Sequence, residues 1–479
     1  MSADPAHPTL SLSPKNGAAA FIVLSIAIQT AVLLPAWLGS LGTSLILLGA
    51  GVILPFFLVS IENAVVLLPL FLFMPVTLGS GSPIQLSELA VAMLMIMLLF
   101  NAVLENGSPL RWRFPLSGIF FFLLLSEALS LVGAPYLMAG IKHMARMVEG
   151  LVIFYLMVNT IRSKDTMQRA LYAIVSAGLL ASLYGLIQFA NALGQPSVMD
   201  RRVFGLLGGG YGAFVGSSIV ALVCLWTYRK SLLNRILFVA GLPILGLALM
   251  VHQTRTWYGS VFLAVLWVSI KSGWKKGIRL IAFSLILFVS AAALLFQARL
   301  FHIVPESVSS GVQQTTFQLG LSAGESKFIS GISRLFIWSK GFRIFLDHPV
   351  FGFGVSNLRF QNMVTGQLGD PSNPDNGYID SQYLNVLYET GLFGFLIWML
   401  LFLAVWRNTR RLQASDRNNS AKTVILSVSG SFIVFFAGGL FWCITEAHET
   451  IAYLAYLLGL LFSAQTVLEA EEKSHDFRH

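Results

Sequence analysis

The chain has 479 residues, 56% of them hydrophobic and only 11% charged. Soluble domains carry roughly 25% charged residues, so a water-facing globule is excluded. The formal charge of +9 does not point to nucleic acid, because no basic tract is interleaved with soluble aromatic residues.

Long apolar blocks set the fold expectation. They run for about 17–25 residues, the length a helix needs to cross roughly 30 Å of hydrocarbon, where backbone polar groups must pair internally. Continuous runs such as Leu280–Phe296 lack the two-residue alternation of a membrane β-barrel. The reading is an all-α polytopic membrane protein with about 12–14 transmembrane helices. The expected spans are 18–38, 42–60, 63–79, 86–104, 115–133, 143–161, 169–192, 206–227, 235–252, 256–271, 278–297, 383–405, 422–442 and 447–467. The second and third are short and can form one re-entrant pair. The first block lacks a convincing cleavage site and reads as a retained anchor. Cys224 and Cys443 fall near opposite faces, which predicts no disulfide. No Cys/His cluster suggests a metal, and no cofactor is expected.

Charge fixes the orientation. With the N-terminus in the cytoplasm, the inner loops collect Arg111, Arg113, Arg162, Lys164, Arg169, Arg229, Lys230, Arg235, Lys271, Lys275, Lys276, Arg279, Arg407, Arg410, Arg411, Arg417 and Lys422. The short outer connections and their edges hold only Lys142, Arg146, Arg201, Arg202 and Arg255. This positive-inside bias puts both termini in the cytoplasm. The polar tail after Leu468 reads as a frayed end.

One connection stands apart. Residues 298–382 form a large outer loop inserted into a single membrane domain, 1–479, and loops of that size tend to be functional. Leu335, Trp338, Phe342 and Phe345 recur at helical spacing and make one apolar stripe. Lys340, Arg343 and Asp347 lie off it, Arg334 sits at its edge, and Pro349 ends it. An amphipathic helix is expected there, packed on the membrane domain or lying in the interface. Gly366 to Asp380 is turn-rich and acidic, as a mobile lid would be.

The informative charges are those that break the topology rule. Arg202 precedes the eighth span, Arg255 sits in the short turn HQTRTW, Arg334 opens the loop helix, and Asp380 immediately precedes the span at Tyr383. All four map to the outer face. Each has a plain structural reading beside the functional one. Outer arginines snorkel to lipid phosphates, and Asp380 can cap the helix that follows. Glu389 falls inside an apolar segment, where a carboxylate pairs with something or lines a cavity. His448, with Glu446 and Glu449, reads as a solvated connection. Gly208, Gly209 and Gly210, and Gly352 and Gly354 in HPVFGFG, suit tight packing or close backbone approach to a ligand.

In order and spacing these pieces resemble the O-antigen ligase and polymerase family of bacterial envelope glycosyltransferases. The resemblance covers most of the chain from about residue 65, and its distinctive part is residues 250–395. It rests on QTRT, then a long outer loop with R-x-x-x-W and HPVFGFG, then a polar motif entering YLNVLYETGLFG. Arg202 before Phe204-Gly205 is similar to an upstream arginine motif of the family. Ligases usually carry His-Asn or His-Ser where this chain has Asp380-Ser381, so a polymerase of O-antigen or exopolysaccharide repeat units is the better fit and a ligase the alternative.

The resemblance implies a donor glycan on undecaprenyl diphosphate, a glycan or lipid acceptor, surrounding membrane lipids, a chain-length regulator as partner, and an active site on the periplasmic face of the inner membrane. Arginine suits the diphosphate, being always charged, planar and bidentate. The expected roles are Arg202 and Arg255 as diphosphate clamps, Arg334 as a second phosphate or acceptor contact, Gly352 and Gly354 as ligand-approach glycines, and Asp380 as general base. The rival from another class is a polysaccharide or lipid transporter, which needs charges deep along a path through the bilayer.

Overall fold

A computed structural model describes residues 61–72, 90–96 except 93, 113–192, 210–229, 231–252, 255–273, 282, 338–357 except 340, 379, 381–414, 419–443 and 448–476. These fall in one compact unit comprising residues 61–76 and 84–479. The spans expected at 18–38 and 42–60 lie outside the described residues, as do that at 278–297 apart from residue 282 and the segments 298–337 and 358–378 of the expected large loop.

Among the described residues every regular element is a helix. We number them α1 (Ile61–Leu72), α2 (Ser117–Ser130), α3 (Leu137–Thr160), α4 (Lys164–Ala192), α5 (Tyr211–Tyr228), α6 (Leu232–Val251), α7 (Arg255–Lys271), α8 (Gln382–Ala414), α9 (Asn419–Gly438) and α10 (His448–Asp476). Six are long and apolar enough to cross a membrane: those within α4, α5, α6, α8, α9 and α10. α3 is long, but Lys142, His143, Arg146 and Glu149 interrupt it. The end of α10 corrects the expectation of a frayed tail: the helix continues to Asp476, and Gln465 donates to Glu469 one turn on.

α5 is the buried axis. It packs against α4, α6, α7 and α9, and α10 lies across α3 and α9. Small residues set the spacing, since apolar lipid gives helices no hydrophobic reason to associate and close packing must do it. A Cβ on Gly216 would press on Val261 of α7 and Val434 of α9, and one on Gly459 would press on Met157 of α3. Serines inside these helices return their hydroxyls to the preceding turn, as Ser217 does to Ala213 and Ser431 to Ser427.

The span expected at 383–405 is not one straight rod. Gly391, with φ 68° and ψ −170°, breaks α8 into limbs of residues 382–390 and 392–414. Tyr383 and Phe402 stand nineteen positions apart, about 28 Å along a straight helix, yet their rings are 5.9 Å apart. The limbs therefore fold toward each other. The second limb alone is still long enough to span.

The loop helix also differs from its expected register. Residues 338–347 are helical where described. Trp338, Ile344 and Phe345 pack on Ile379 and Tyr388 of the first limb, and Gly341 closes against the same pair. Phe342, expected on that stripe, faces outward instead. The close seat at Gly341 rotates the packed face toward the glycine. Arg343 and Asp347 are exposed, as expected.

Gly391→Ala tests the break. A Cβ there would collide with the Val350 carbonyl at a positive φ, which should cost about 1–3 kcal/mol and lower the unfolding temperature in detergent. Gly259→Ala, which meets nothing, should be neutral or stabilising.

Candidate active site

Side-chain contacts sort the connections into two ends. At one end Glu62 pairs with Thr166 and Asn63 with Arg169. Arg113 meets Asn159 through its backbone, and Arg229 reaches Ser420. Tyr228 bonds Ser272. This is the basic end, built from the loops expected to be cytoplasmic. At the other end Gly212 and Gly438 both abut Trp257, and Trp442 lies 6.4 Å from the same ring. Gly210 abuts Thr450, and the Gln382 amide donates to Gly439. The α2–α3 turn joins this end through residues 355–357.

The loop-bearing end centres on the break in α8. Opening a helix strands carbonyls and amides, and each must find a partner when buried. The segment HPVFGFG supplies them. Phe353 N and Gly354 N donate to the Tyr388 and Glu389 carbonyls, each at 2.9 Å. Leu392 N and Phe393 N donate to the Pro349 and Val350 carbonyls at 2.9 and 3.2 Å. The approach is close enough that a Cβ on Gly352 would collide with Glu389. Gly352 has φ 76° and Gly354 φ 111°, so both positions favour glycine twice over. What Gly352 approaches here is the backbone of Glu389 and Gly391, and what Gly354 approaches is the side chains of Ala134 and Asn357. The segment is then tied to α2 and α3: Val355 N donates to Ser130 Oγ at 3.1 Å, and Tyr136 N to Asn357 Oδ1 at 2.7 Å.

Beneath this seam lies a buried polar layer. Ser126, Glu127 and Ser130 come from α2, His143 from α3, and Asn385, Glu389 and Thr390 from the first limb of α8. Asn385 Nδ2 donates to Glu389 Oε2 at 3.0 Å, so the carboxylate expected to be paired is paired. Glu127 Oε1 and His143 Nε2 are 3.9 Å apart. Glu127 Oε2 and His143 Nδ1 have no hydrogen-bond partner among the described residues. Neither residue stood out in the sequence. The signal was there, since Glu127 interrupts FFFLLLSEALS much as Glu389 interrupts its own helix.

Arg255 opens α7 with three residues between it and the end of α6, so the expected short turn is present and lies at the loop-bearing end. Its neighbours are buried: His252 sits 5.4 Å from Tyr211, and Trp257 is fully enclosed. The backbone of Arg255 is described and its side chain is not. His448 likewise opens α10 at this end with its side chain undescribed. Arg202, Arg334 and Asp380 lie outside the described residues. The flanks of Asp380 are placed: Ile379 and Ser381 are buried, and Ser381 Oγ caps Leu384 N at 3.5 Å. Within the angle of α8, Gln382, Tyr383, Trp398 and Phe402 line a crevice with Phe435, Phe436 and Leu454.

Residues 240–399 match the family model described as O-antigen ligase. The matched interval runs from α6 through the 252–255 turn and the HPVFGFG seam to the second limb of α8. It therefore covers most of what builds the loop-bearing end. The resemblance to the O-antigen ligase and polymerase family is borne out over these residues, and the match supports a glycosyltransferase of that ligase or polymerase type. No curated protein matches the chain.

The Glu127–His143 pair is open to a double-mutant cycle. Removing one partner of a buried ionisable pair leaves the other without compensation. Glu127→Ala and His143→Ala should each lower thermal stability, and the double substitution should cost less than their sum by about 1 kcal/mol or more. Additive losses would show that the two side chains do not interact.

Proposed function

We propose that the protein is a membrane glycosyltransferase acting on undecaprenyl-diphosphate-linked glycan at the periplasmic face of the bacterial inner membrane. Its reaction in this reading is the polymerisation of O-antigen or exopolysaccharide repeat units with inversion at the anomeric carbon. One observation carries the reading: the O-antigen ligase match falls on the elements that bring the Arg255 turn and the entry to α8 to the same end of the bundle.

The acceptor hydroxyl oxygen attacks the anomeric carbon of the donor while the bond from that carbon to the diphosphate oxygen breaks. The diphosphate leaves with the bonding electrons, and the hydroxyl proton passes to the Asp380 carboxylate. Arg202 and Arg255 hold the diphosphate in bidentate contacts that strengthen as charge builds on the leaving oxygen. Arg334 provides a second phosphate or acceptor contact. Gly352 and Gly354 shape the surface that the substrate approaches. The glycosyl phosphate bond supplies the driving force, so no nucleotide is needed outside the cytoplasm. The loop 298–382 closes over the site as an insertion into one membrane domain, and a chain-length regulator is the expected protein partner.

The second reading is an O-antigen ligase, which the description of the matched family favours. Asp380-Ser381 in place of the ligase histidine pair favours polymerisation. Purified protein with a defined polyprenyl-linked oligosaccharide separates them: a ladder of products means polymerase, and a single transfer to lipid A core means ligase.

Arg255→Ala should fold and lose turnover by about 100-fold or more, the scale of one lost charge-stabilising donor. Arg255→Lys should also be poor, because an ammonium lacks the planar fork. Asp380→Asn should keep donor binding and lose turnover by about 100-fold or more; full turnover with saturating acceptor would move the base elsewhere, to Glu389 or His448. Orientation is checked by impermeant thiol labelling in spheroplasts. Ser322→Cys should label and Ser415→Cys should not, and the reverse pattern would overturn the periplasmic site.

A further inference from the structure

We propose that residues 342–351 are immersed at the hydrocarbon edge of the bilayer, with lipid acyl chains covering their outward apolar face. The inference rests on the membrane-spanning character of the chain and not on its chemistry.

The segment has two apolar faces. One is used: Trp338, Ile344 and Phe345 pack on the first limb of α8, and the Tyr388 hydroxyl donates to the Trp338 carbonyl at 3.0 Å. The other is bare. Phe342 is 48% exposed, Leu346 59%, Val350 55% and Phe351 43%. Water does not tolerate such a contiguous cluster without a partner to cover it.

Its position says which partner. Pro349 and Val350 are bonded to the first amides of the second limb of α8, and Phe351 meets Phe393 edge-on at 6.0 Å. Below that junction Leu392, Leu396, Leu400 and Leu403 recur at spacings of four, four and three, each 40–53% exposed. On a spanning helix that stripe faces lipid. The bare face of the loop is its direct continuation, so the same solvent covers both. Arg343 and Asp347 are exposed beside the apolar row, which suits a helix lying in the interface with its charges among the head groups.

The test uses the full-length protein in lipid nanodiscs, with single spin labels at Leu346→Cys, Phe351→Cys, Asp347→Cys and Leu396→Cys. The unsubstituted protein is the blank, since Cys224 and Cys443 are buried. Collision rates with molecular oxygen, which concentrates in lipid, are compared with those of a water-soluble nickel chelate. The expected result is an oxygen-to-nickel ratio at 346 and 351 close to that at 396 and several-fold above that at 347. A ratio at 346 and 351 equal to that at 347 would mean the face is in water. Low access to both reagents would mean a protein surface, from a second copy or another chain, covers it. Either outcome overturns the proposal.

Discussion

Four backbone hydrogen bonds across the break at Gly391 hold the loop-bearing end together. In hydrocarbon a broken helix is tolerated only where the freed groups are met by protein or by a water-lined cavity. Here the carbonyls of Tyr388 and Glu389 and the amides of Leu392 and Phe393 are met by one short segment, residues 349–354. The bond set fixes the angle of α8, the seat of the loop helix on Tyr388, and through Val355 and Asn357 the position of the α2–α3 turn. Gly352 and Gly391 face each other across the seam, and neither has room for a side chain.

The polar layer below the seam follows from the same constraint. A helix break close to a membrane surface lets polar side chains approach without being stranded in lipid. Glu389 is held by Asn385 one turn earlier. Glu127 and His143 face each other between α2 and α3, under the turn to which the loop is tied. A buried carboxylate is expensive in any membrane protein, and Glu127 and Glu389 come from two different helices beneath the one seam. Buried hydroxyls and amides occur throughout the bundle, whereas the buried side chains Glu127, His143 and Glu389 come from α2, α3 and the first limb of α8.

Much of this was legible in the sequence. Apolar block length places α4, α5, α6, α7 and α9 to within about five residues, and the start of α10, because burial in lipid writes a strong, continuous signal. The positive-inside count sorted the connections into the two groups that the contacts also sort. HPVFGFG and YLNVLYETGLFG are successive pieces of the resemblance, and the structure joins them by four backbone hydrogen bonds. What failed was register and shape. A glycine inside an apolar run is ordinary in membrane helices, and the segment that makes Gly391 a break lies some forty positions upstream, beyond any local pattern. Periodicity puts Phe342 on one apolar stripe with Trp338 and Phe345 because it counts apolar residues, whereas the face packed on Tyr388 is set by Gly341, which periodicity ignores. Glu127 and His143 went unread because each sits alone in its own run, and only folding makes them a pair.

The seam also defines what can be exchanged between relatives of this chain. A loop is usually the easiest part of a membrane enzyme to transplant, because its ends are close and its contacts few. Here residues 349–357 make backbone bonds to α8 and receive or give further bonds at Ser130 and Tyr136. A transplanted loop would arrive without the broken helix that receives it. The smallest portable module therefore runs from the loop helix at Trp338 to the second limb beyond Phe393, with the α2–α3 turn as its matching socket.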